Sequence, residues 1–164
     1  MKKVDLMNNN LVLLDGLPLH PLIIHLTVVS LPLAVVMVVL SLVWKRFRRY
    51  DFLTLAVLIV GSVSAFMASV SGRQLSENIG VTLDHATWGF YAPIASTVAT
   101  VFFGLLIWAR KQNISSSLAK LTKGGFVVVV IASIAATLVL TVLAGHSGAK
   151  LTWEPKVSWI TETS

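Results

Sequence analysis

Four histidines are the residues of this 164-residue chain best suited to hold a metal or a cofactor. His20 and His25 stand in Leu19-His20-Pro21-Leu22-Ile23-Ile24-His25, at the start of the first of four apolar runs, while His85 opens the third run and His146 closes the fourth. Neutral imidazole is a general donor to haem iron, zinc and copper. An ionisable side chain inside an apolar span is costly, which makes His25 a functional candidate by position alone. His20, at the boundary, reads equally well as a helix-capping residue. Cysteine is absent, which excludes disulfides, thiolate metal sites and haem attached through thiols. No methionine lies near the four histidines. Asp84 is the only acid close in sequence, and an Asp just ahead of a helix reads first as its N-cap.

The elements that position these residues follow from composition. Hydrophobic residues make up 55% of the chain and charged ones only 12%, about half the charged share of an ordinary soluble domain. The apolar runs 19–44, 52–72, 85–109 and 126–146 are each close to the ~20 residues that a bilayer-crossing helix needs. Lipid offers backbone groups no water, so helices are the form these runs must take. None has a polar face to turn to solvent. The expected fold is therefore all-α: an integral membrane four-helix up-and-down bundle. Pro21 suits the first helical turn, and Pro32 should kink the first helix. Residues 1–18 read as an extramembrane lead-in, partly interfacial through Leu11-Val12-Leu13-Leu14. They are too interrupted by Asp5, Asn8-Asn9-Asn10 and Asp15 for a cleaved signal. Residues 147–164 read as a tail.

Loop charge gives an orientation. Lys45-Arg46-Phe47-Arg48-Arg49 joins runs one and two, and Arg110, Lys111, Lys120 and Lys123 surround the connection between three and four. The excess of basic residues places these loops in the cytoplasm and both termini outside. The net charge of +6 is then a property of the loops and not a sign of a nucleic-acid partner. Trp44 and Trp108 mark one interface, and Trp88, Trp153 and Trp159 the other.

With that topology all four histidines share the outer end. Counting back from Trp44, Trp108 and Gly125 at ~1.5 Å per residue pairs His20 with His85 in height, and His25 with His146 somewhat deeper. Haem b held by imidazoles from facing helices fits a four-helix bundle; zinc or copper bound by histidine alone is the rival. Gly61, Ala65, Ala68, Ser69 and Gly72 on helix two, and Gly89, Ala92, Ser96, Ala99 and Gly104 on helix three, either bring helices close or leave room for a porphyrin. Haem propionates would look for cations at the outer end. Arg73 and Lys150 are placed for this, Arg73 better because its planar fork holds a carboxylate in two places. No phosphate-cradling loop, nucleophile elbow or internal repeat is present.

Gly16-Leu17-Pro18-Leu19-His20-Pro21-Leu22-Ile23-Ile24-His25 resembles the opening signature of the bacterial four-helix membrane family catalogued as domain of unknown function 2231. A histidine starting the third helix, here His85, and Gly145-His146-Ser147-Gly148 followed by Leu151-Thr152-Trp153 extend the resemblance over nearly the whole chain. Members occur beside or fused to Rieske-type and cytochrome c domains. The resemblance thus implies redox work near the outer face, beside Rieske-type or cytochrome partners; the membrane reads as the bacterial cytoplasmic one, and quinone participation stays open. Members often carry a further His-Gly after the last motif, where this chain has Glu154-Pro155, so no ligand carries over there. The expectation is an electron-transfer subunit of a larger redox complex, holding one or two haems through His20, His25, His85 and His146, and not an enzyme by itself. The alternatives are a zinc or copper protein and a purely structural anchor.

Overall fold

The computed structural model describes residues 13–14, 17–79, 84–112 and 117–162, with side chains placed at 22–73, 87–112 and 120–150. Four α-helices make up the fold: α1 (Leu19–Val43), α2 (Asp51–Ile79), α3 (Asp84–Lys111) and α4 (Ser117–Glu162). All four are long and apolar enough to cross a membrane. Ahead of them, β1 (Leu13–Leu14) and β2 (Leu17–Pro18) form a two-rung antiparallel ladder, Leu13 opposite Pro18. A 3-10 turn, Lys45–Tyr50, links α1 to α2. Two helices outrun their apolar stretches: α2 continues to Ile79, and α4 runs through the expected tail to Glu162.

Consecutive helices pack side by side, α1 on α2, α2 on α3 and α3 on α4, while α1 and α4 touch only thinly. Paired residues fix the directions. Thr27 lies against Ser64, and Ser41 against Asp51. Ser62 meets Thr100 and Asp51 meets Arg110; Phe102 meets Phe126, and Lys123 meets Gln112 at the end of α3. As one partner number rises the other falls, so each neighbouring pair is antiparallel and the bundle runs up and down. Pro32 and Pro93 both lie inside their helices.

The core divides into two parts. Toward the 3-10 turn its large side chains are apolar: Val38, Leu58, Phe103 and Leu106 cluster with Ala34. Toward the histidine end many buried positions are small or hydroxylated, among them Thr27, Ser30, Ser62, Ser64, Ala65 and Ala68. Gly61 marks the closest approach of α1 and α2, since a Cβ there would stand 2.6 Å from Leu31 Cδ2 and 3.1 Å from Ser30 Oγ.

Candidate functional site

The histidines are brought to one end. His20 and His25 lie in the first turns of α1, His85 is the second residue of α3, and His146 sits in the part of α4 antiparallel to the start of α3. The side chains of His20 and His85 fall outside the described residues. Those of His25 and His146 are exposed on the outside of the single-chain bundle.

Their heights form a staircase and not the two tiers that counting from tryptophans suggests. Thr27 Oγ1 donates to Ser64 Oγ at 3.0 Å, the Ser62 and Thr100 hydroxyls share a 2.9 Å bond, and the Phe102 and Phe126 rings meet edge to face at 5.9 Å. Stepping across these contacts puts Thr27 level with about Val98 on α3 and about Val130 on α4. At ~1.5 Å per residue, His25 then stands lowest, His20 roughly 8 Å further out, and His85 and His146 roughly 20 Å out, within about a turn of each other on neighbouring helices. The two-tier count fails because its three origins, Trp44, Trp108 and Gly125, are at different heights; Phe126, next to Gly125, is level with Phe102, well inside Trp108. Ser41 and Arg110 are level, so Trp44 lies beyond that plane and Trp108 inside it.

Small residues on α2 serve helix packing. The space over Gly61 is filled by Leu31, which is 1% exposed, and Ala65 and Ala68 are buried in the same interface. Ala92, Ser96 and Ala99 of α3 are likewise buried. Arg73 is exposed, with its guanidinium over the Phe90 ring at 5.1 Å, so it also ties α2 to the first turns of α3. Lys150 is exposed. Thr141, between the apolar core and His146, buries its hydroxyl oxygen with no partner among the described residues. Among the described residues no three His, Asp or Glu side chains come together as a metal site.

A second cluster occupies the opposite end, and sequence reasoning passed over it. Asp51, the first residue of α2, is 5% exposed. Its Oδ2 receives Arg110 Nη1 at 2.7 Å, its Oδ1 accepts from the Ser41 hydroxyl, and the same Arg110 nitrogen donates to Ser41 Oγ at 2.9 Å. Three helices thus meet at one largely buried ion pair. Arg110 reads in sequence as one more basic loop residue. The available signal was Asp51, a lone acid closing a basic run just where an apolar stretch begins.

Helix length, apolar surface and up-and-down order define an integral membrane protein with four spans. The family described as predicted membrane protein (DUF2231) matches residues 16–160, and the chain belongs to it. No curated protein and no solved structure matches the chain.

Proposed function

We propose that this protein is a haem-b-binding, electron-transferring subunit of a larger redox complex in a bacterial cytoplasmic membrane, with its histidine end outside. The observation that supports this most is the gathering of all four histidines at one end, His85 and His146 nearest in height. The interior of a single bundle leaves little room for a porphyrin, because Gly61, Ala65, Ala68, Ala92, Ser96 and Ala99 are closed against neighbouring helices. A haem would sit on the outer surface, where His25 and His146 are each exposed at their own height and a neighbouring subunit can supply the remaining coordination and cover. Bound there, haem supplies one-electron redox chemistry. The chain's residues would fix its depth and orientation through imidazole, and Arg73 and Lys150 are the described cations at that end for its propionates.

Absorbance and haem content of the detergent-solubilised protein test this reading. A Soret band is expected, and His25→Ala, His85→Ala or His146→Ala should remove or shift the low-spin spectrum. Arg73→Ala should lower the midpoint potential, because a nearby positive charge favours the more electron-rich reduced form. If all four single histidine replacements keep the wild-type spectrum, haem ligation by this chain is ruled out. A colourless protein with stoichiometric zinc or copper points to the histidine metal site, and a colourless, metal-free one to a structural anchor. Orientation is tested separately: cysteines at Ser76 and Ser158 should react with an impermeant thiol reagent from outside, and one at Ser116 should not.

A further inference from the structure

We propose that the groove beside the Lys45–Tyr50 turn is a binding site for the headgroup of an anionic phospholipid. This site lies at the opposite end from the histidines and does not depend on haem. The groove encloses about 580 Å³ and is lined by Trp44, Lys45, Arg46, Phe47, Arg49 and Tyr50, with Val43 at its apolar edge.

Local geometry concentrates the charge. The Phe47 N–H donates to Trp44 O at 2.9 Å and the Asp51 N–H to Arg48 O, which winds this stretch as a 3-10 helix. In a 3-10 helix residues three apart eclipse one another. Arg46 and Arg49 are therefore stacked on one side, and both line the groove. Arg49 lies over the Tyr50 ring at 4.6 Å. A guanidinium held over a ring still has N–H groups to donate to a phosphate, in the paired geometry this group favours.

The turn has no acid of its own to neutralise it. Asp51, the carboxylate next in sequence, is engaged by Arg110 and Ser41. Two other cations at this end are engaged elsewhere: Lys111 lies over Phe52 at 4.3 Å, and Lys123 donates to Gln112 O at 3.2 Å. A compact anion is what Lys45, Arg46 and Arg49 together would hold. The rim identifies which kind. Val43 and Trp44, 66% and 59% exposed, continue the groove along α1, where an acyl chain would lie. An indole at the headgroup boundary beside basic residues is the usual setting of an interfacial lipid contact.

Tryptophan quenching by lipids brominated near the headgroup end of the acyl chain tests the site on the full chain in mixed micelles. Brominated phosphatidylglycerol should quench more effectively than brominated phosphatidylcholine, and Trp44→Phe should remove that difference. Arg46→Gln with Arg49→Gln should weaken the preference by about fivefold per cation removed. Lys120→Gln with Lys123→Gln should leave it intact. Equal quenching by both lipids overturns the proposal, as does an equal loss in both double variants, which would mean diffuse surface charge. Loss of the preference on adding inorganic phosphate at constant ionic strength overturns the lipid as occupant. If the arginine double variant does not fold, the wild-type and Trp44→Phe comparison alone decides, because an unchanged preference without Trp44 removes the lipid from this groove.

Discussion

At the end where α1 gives way to the 3-10 turn, three helices are pinned by a buried charge pair set against an apolar core of Val38, Leu58, Phe103 and Leu106. At the histidine end the same helices meet through hydroxyls and missing side chains: Thr27 on Ser64, Ser62 on Thr100, Gly61 under Leu31. Lipid supplies no hydrophobic drive for helices to associate, so close packing and hydrogen bonds must hold both ends. They do so in different denominations. A desolvated ion pair is strong while complete and severe when half removed. A row of hydroxyl contacts is a sum of small terms, any one of which can be lost. The difference teaches that the register of the bundle is fixed at one end, leaving the histidine end freer to adjust to whatever binds there.

The largest effect should come from halving the ion pair. Asp51→Ala or Arg110→Ala leaves a buried charge without its partner and should cost about 3–5 kcal/mol. Asp51→Leu combined with Arg110→Met should recover most of that loss, since the penalty belongs to the orphaned charge. Unfolding titrations in mixed micelles measure all three variants, and simple additivity of the two single losses would show that the pair is not coupled. Gly61→Val should come next, at about 1–3 kcal/mol. Its added methyls meet a Leu31 that is itself buried and has little room to turn. Smallest is the hydroxyl pair: a double-mutant cycle on Thr27→Val and Ser64→Ala should give a coupling of about 0.6 kcal/mol. A coupling there as large as that between Asp51 and Arg110 would erase the contrast between the ends.

Sequence carried the fold well and the site only in outline. Four apolar runs in a cysteine-free chain with 12% charge admit little besides a membrane helix bundle, and short connections make neighbours antiparallel. The grouping of His20, His25, His85 and His146 followed from the same counting. Their heights did not, because residue counts need a common origin, and Trp44, Trp108 and Gly125, which served for it, are offset along the bundle. Whether His25 faces inward was equally hidden. Its run is apolar on every side, so no periodicity distinguishes the packed face from the outer one. The buried pair Asp51–Arg110 was hidden for a related reason: composition treats a charge at the end of an apolar stretch as a loop charge, and only the packing of α2 against α1 and α3 reveals that it is enclosed.

The Asp51–Arg110–Ser41 contact draws on α1, α2 and α3 and takes nothing from α4. A chain emerging from the ribosome therefore completes its most expensive polar contact as soon as its third span is made. Membrane helices insert singly and associate afterwards, and domains generally form in the order of synthesis. Here the first three spans can dock as a finished platform while the fourth is still being translated. The last helix then has one broad surface to close on, that of α3, and only a thin edge of α1 to meet. Assembly of the bundle has a built-in sequence, with the span bearing His146 arriving last.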